Sequence, residues 1–118
     1  MKNYFKKLAA LCVTAYAKQV FAQAVKLAES KYINHPDMYF VITDPVRPKK
    51  LICINTKQFL HLRHAFGIPS KRLTIATLKN HCWYRTRSKV GNDALPPQDI
   101  NVRKLAFCRE ILRRAKLD

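Results

Sequence analysis

Between Asp44 and Asp93 the chain carries eleven Lys or Arg residues and no Asp or Glu. They are Arg47, Lys49, Lys50, Lys57, Arg63, Lys71, Arg72, Lys79, Arg85, Arg87 and Lys89. With no acid in the stretch, these charges cannot pair locally. Whatever fold forms must hold them at the surface and bury the apolar residues between them. Such a surface is tolerated most readily when an anionic partner offsets the repulsion, and a polyphosphate backbone, which releases condensed counterions on binding, is the obvious one.

The rest of the chain allows that fold to be well packed. In 118 residues, 48% are hydrophobic and only two are Gly. This fits one ordered domain with a real core and no room for a second. A formal charge of +16 leaves the remaining surface basic as well. Cys12, Cys53, Cys82 and Cys108 stand tens of residues apart in apolar runs. Free thiols in such runs act as small core side chains, which predicts reduced cysteines and a cytoplasmic protein.

Residues 1–22 have the outline of a secretory signal, with a basic start, an apolar run and a Val20-Phe21-Ala22 segment. Lys18 and Gln19 interrupt that run, and a helical period continues through it. Leu8, Leu11, Cys12, Ala15, Val20, Ala24, Leu27 and Ala28 return near one side, predicting an amphipathic helix over about 4–32 whose apolar stripe faces inward. No run approaches the roughly 20 apolar residues that a bilayer span requires. With Lys2, Lys6, Lys7, Lys18, Lys26 and Lys31 the helix offers an alternative, a protein- or membrane-surface-binding module on anionic lipid. Its stripe lacks bulky aromatics and suits packing into the core or a dimer better, so a membrane partner is not expected.

Strands are predicted at about 38–43 and 51–55, joined by a proline-stiffened loop carrying Arg47, Lys49 and Lys50. Thr56 is placed to cap a helix ending near Phe66. Gly67 would close that helix, and Ser70 would cap a second one over about 71–80. Residues 73–77 also fit a β-branched alternating run. A short strand at about 82–86 and a helix from Asp99 to about Lys116, with Leu105, Cys108, Ile111, Leu112 and Ala115 inward, complete the expectation. The fold class is α+β: a β-hairpin and a central helix pair between two long terminal helices, in a single domain.

Residues 59–78 resemble a helix-turn-helix. Leu62, Phe66, Ile68, Leu73 and Ala76 fall where two such helices press together, Gly67 stands at the turn and Ser70 at the cap. Arg63 departs from the small residue the motif wants at the crossing. The resemblance is generic and points to no particular family. It implies a nucleic-acid contact through Ser70, Lys71, Arg72, Thr74 and Thr77, with the helix N-terminus favouring phosphate. Beyond it, Trp83 is a candidate for base stacking, and Arg85, Arg87 and Lys89 are candidate phosphate ligands.

The function expected from these residues is binding of nucleic acid, DNA before RNA, without catalysis; by architecture and charge, a regulator or accessory protein of a mobile element would fit. An acidic protein partner is a further possibility, and nothing speaks to homo-oligomerisation. His61, His64 and His81 supply acid–base groups for a metal-independent ribonuclease, but in no diagnostic arrangement. No cysteine or histidine pair has the close spacing of a zinc site, so no metal or cofactor is expected.

Overall fold

The computed structural model describes residues 2–47, 49–65, 74–87 and 94–116, without the side chains of 2, 3 and 65. A 33-residue helix, α1 (Lys2–Asn34), spans about 50 Å at 1.5 Å per residue. It ends where expected: the His35 amide still reaches Lys31 O at 2.9 Å, and Pro36 follows. Two strands then pair antiparallel, β1 (Tyr39–Thr43) with β2 (Leu51–Asn55), in the register Tyr39↔Asn55 to Thr43↔Leu51. The helix α2 (Thr56–Ala65) follows directly, then α3 (Ile75–His81), the two-residue strand β3 (Tyr84–Arg85) and α4 (Pro97–Arg114). β3 pairs antiparallel with β1, giving the sheet order β2-β1-β3.

The alternation of side chains along β1 and β2 divides the core between the two faces of this sheet. Tyr39, Val41, Leu51, Cys53 and Tyr84 pack on one face with Ala24 and Ala28 of α1 and Leu95 before α4. Phe40, Ile42, Ile52 and Ile54 pack on the other with Phe59 of α2 and Leu78 of α3. A third cluster, Ala17, Phe21, Phe107, Cys108 and Ile111, joins α1 to α4. The small sheet is therefore covered by helices on both sides, as expected of short, apolar strands without a solvent face. The fold is α+β, as the residue pattern predicts.

Several local expectations are corrected. The inward stripe of α1 is Ala17, Phe21, Ala24 and Ala28, while Leu8, Leu11, Cys12, Ala15 and Leu27 are exposed. Apolar residues lie on two sides of the helix, and a single-stripe reading picked the outer one in its first half. Residues 4–34 also form a 31-residue helix long and apolar enough by composition to cross a membrane, with a mean hydropathy of 1.3 over its most apolar window. One lysine within a run of Ala, Leu, Val and Phe lowers the average too little to prevent this. In the fold, its second half is instead occupied with core packing.

Helix starts differ as well. Asn55 and Gln58 form a reciprocal capping box at α2, with Gln58 N to Asn55 Oδ1 at 2.8 Å and Asn55 N to Gln58 Oε1 at 3.0 Å. Thr56 is thus the first helical residue. Thr74 caps α3, which begins at Ile75; its Oγ1 accepts from Thr77 N at 3.2 Å, and the expected cap Ser70 lies outside the described residues. α4 begins at Pro97 after Pro96, where the missing proline donors leave fewer amides to satisfy, so Asp99 lies inside the first turn and does not cap it. Leu105 faces solvent, one position off the buried stripe Phe107, Cys108 and Ile111. The expected strand at about 82–86 is ordered as β3 over two residues only.

The cysteines give a direct check on this packing. Cys53, Cys82 and Cys108 are buried and Cys12 is exposed, where a core position was expected. Burial pushes the Cys53, Cys82 and Cys108 thiols up, partly offset by nearby cations such as Lys31 and Arg103. Because the thiolate is the reactive form, a maleimide at neutral pH is expected to label one thiol per native chain, at Cys12. All four should react in denaturant; rapid native labelling of any buried thiol contradicts the packing described.

Candidate nucleic-acid interface

The hairpin loop brings its cations out by a tight internal geometry. Asp44 Oδ1 accepts from Val46 N at 2.9 Å, an Asx turn that directs the chain away from the sheet. Asp44 N reaches Lys50 O and Lys50 N reaches Arg47 O, both at 2.9 Å, so the loop is closed by its own backbone. Arg47, Lys49 and Lys50 are all exposed at its tip.

The partner of this tip comes from the other end of the chain. Because α4 runs back along α1, with Phe107 near Phe21 (6.1 Å between ring centroids) and Ile111 in the same cluster as Ala17, its last turn arrives beside the hairpin. Arg47, Lys49 and Lys50 with Arg113, Arg114 and Lys116 line one open recess of about 700 Å³. All six lining residues are cationic. Glu110 is the local counter-charge: Arg113 Nη2 reaches Glu110 Oε1 at 2.6 Å, and Arg114 Nε lies 3.1 Å from the same oxygen. The Arg113 hydrogen bond, with help from Arg114, holds the Glu110 carboxyl below its usual range, so it stays ionised at neutral pH. Six lining cations, with Glu110 the carboxylate paired to two of them among the described residues, leave the recess strongly positive. The C-terminal end of the α4 dipole favours cations at this place.

The other expected contacts are dispersed or used internally. Ser70, Lys71, Arg72 and Lys89 lie outside the described residues, as do Phe66, Gly67, Ile68 and Leu73, so the turn of the helix-turn-helix resemblance is not described. Thr74 and Thr77 bond to each other, Oγ1 to Oγ1 at 3.0 Å, in the α3 cap. Ala76, expected at the crossing between the paired helices, is exposed, while Leu78 and partly Ile75 turn to the sheet.

Arg85 Nη1 donates to Lys79 O at 2.9 Å, a structural bond at the end of α3. Arg87 is exposed and lies 5.1 Å from the centre of the Tyr32 ring, at a different place from the recess. Trp83 is half-buried; its indole N–H donates to Thr43 Oγ1 at 2.9 Å and its ring meets Phe107 edge-on at 5.4 Å. That packing engages the indole N–H and one ring contact internally. Thr86, fully buried, accepts from Tyr39 N at 2.9 Å and holds β3 to β1.

His61 and His64 border a second, apolar recess of about 830 Å³ with Ile52, Ile54, Leu60 and Leu62. His81 is exposed at the end of α3. Among the described residues, no group of three or more His, Cys, Asp or Glu comes together to hold a metal ion.

Sequence reasoning missed Arg113, Arg114 and Lys116 because they fall outside the acid-free window. The signal was present: Arg109, Arg113, Arg114 and Lys116 crowd the end of the last helix with one acid among them. What the sequence lacks is the antiparallel return of α4 that sets them beside the hairpin. Compared with protein-family models, curated proteins and solved structures, the chain matches none.

Proposed function

We propose that this protein binds nucleic acid, with duplex DNA as the first ligand to test, through the basic recess at the hairpin tip and the end of α4. The observation that carries this reading is the meeting of Arg47, Lys49 and Lys50 with Arg113, Arg114 and Lys116, from segments more than 60 residues apart in sequence. The hairpin is held by its own hydrogen bonds and α4 by core packing, so little ordering is needed to present the charges. Arginine on both sides suits bidentate recognition of phosphate oxygens, and the lysines add point charge. Backbone contacts of this kind give affinity without sequence preference.

The test is a salt titration. With six cations and one shared carboxylate, about five net phosphate contacts give a slope of log affinity against log salt near −4.5 on duplex DNA. A single strand engaged by the same charges should show a slope near −3.5. Absence of binding to duplex DNA, single-stranded DNA and RNA at low salt would end this reading. RNA cleavage in the presence of chelator, lost on changing His61 or His64, would replace it with the ribonuclease reading.

A further inference from the structure

The first third of α1 is not used by the fold. Residues 4–9, 11 and 12 are all exposed, and the first buried residue of the helix is Ala17. Tyr4, Phe5 and Leu11 are 68%, 63% and 69% exposed, and Leu8 and Tyr16 47% each. At about 100° per residue, Tyr4, Phe5, Leu8, Leu11, Cys12 and Tyr16 share one side of the helix, about 18 Å long. The packed residues Ala17, Phe21, Ala24 and Ala28 lie on the opposite side. The helix thus offers an outward apolar face that is available without disturbing the core.

We infer that this face docks on an anionic lipid bilayer, lying in the interface and not crossing it. Charge complementarity selects the occupant. No acid precedes Glu29, and the exposed Lys7 and Lys18 border the face along one edge. A second copy would bring another formal charge of +16 and be repelled, whereas an anionic leaflet attracts it. Tyr4, Phe5 and Tyr16 supply the aromatic bodies that settle at a headgroup boundary, which an expectation built on Leu and Ala alone overlooked. Length and hydropathy would allow a span, but crossing requires tearing Phe21, Ala24 and Ala28 from α4 and the sheet. A shallow groove lined by Tyr16, Gln19, Gln23, Leu27 and Lys50 connects this face to the edge of the basic recess. Surface contact would therefore leave the nucleic-acid site beside the membrane, not beneath it.

The experiment uses the full chain with a polarity-sensitive maleimide on Cys12, titrated with vesicles of phosphatidylcholine alone or with 30% phosphatidylglycerol. A blue shift and co-sedimentation are expected with the anionic vesicles, weakening with salt, and binding at least tenfold weaker with the neutral ones. Replacing Tyr4 and Phe5 by Ser and Leu8 and Leu11 by Gln should lower vesicle binding at least tenfold and leave duplex affinity within twofold. The helical content of that variant, read by circular dichroism, guards against unfolding, since all four positions are exposed. The variant Arg47→Gln, Lys50→Gln, Arg113→Gln, Arg114→Gln should do the reverse, losing duplex binding and keeping the Cys12 blue shift. Vesicle binding that ignores the α1 variant overturns the proposal. So does a dimer in sedimentation that only the α1 variant dissolves.

Discussion

Phe107→Ala is expected to lower unfolding stability by about 3–5 kcal/mol and the Tm by about 10 °C or more. Phe107 is 1% exposed and touches two other aromatic rings, Phe21 of α1 and Trp83 before β3. Truncation leaves a cavity that none of the three elements can fill, because Trp83 is held by Thr43 and Phe21 by the helix it sits on. Leu105→Ala, two positions earlier on the exposed side of α4, is expected to stay within about 0.5 kcal/mol. Denaturant unfolding of both variants measures the comparison. A milder loss for Phe107→Ala than for Leu105→Ala would mean that α4 packs by a different face, and the basic recess would lose its geometric basis.

The second large effect is functional. Neutralising Arg47, Lys50, Arg113 and Arg114 together to Gln should weaken duplex binding about 10²- to 10³-fold at 0.1 M salt. It should also bring the salt slope from near −4.5 to near −1, about one unit for each phosphate contact removed. Glu110→Gln should act in the opposite direction, since its carboxylate holds Arg113 and Arg114 and offsets their charge. A severalfold gain in affinity is expected there. Stability should change little, because the pair sits at the surface. If Glu110→Gln weakens binding, the arginines depend on that carboxylate for their orientation and the simple charge account is wrong. An unchanged slope in the four-site variant would move the contact elsewhere, with Arg87 and the window beyond it the next place to test.

Parts of this fold were readable because local chemistry and tertiary packing agree. Pro36 stops α1 wherever the helix packs, and the β-branched runs around Val41 and Ile52 form strands. Thr74 and Asn55 were harder. Asn55 and Thr56, like Ser70 and Thr74, are all polar residues able to cap a helix, and the choice depends on where the first turn is placed. Arg85 looked like a phosphate ligand because a cation next to aromatics reads the same whether it faces water or a helix-end carbonyl. Only the placement of α3 against β3 supplies Lys79 O as its partner.

From sequence alone, the chain is determined to be basic, α+β and dominated by helices at both ends, because charge, breakers and period are local properties. Three decisions belong to the tertiary structure. It chose which apolar side of α1 is buried, since both sides satisfy the helical period and only α4 and the sheet distinguish them. It packed the half-buried Trp83 edge-on against Phe107. And it brought the hairpin tip to Arg113, Arg114 and Lys116, a meeting that depends on the antiparallel return of α4 along α1 and has no signature in any contiguous stretch of residues.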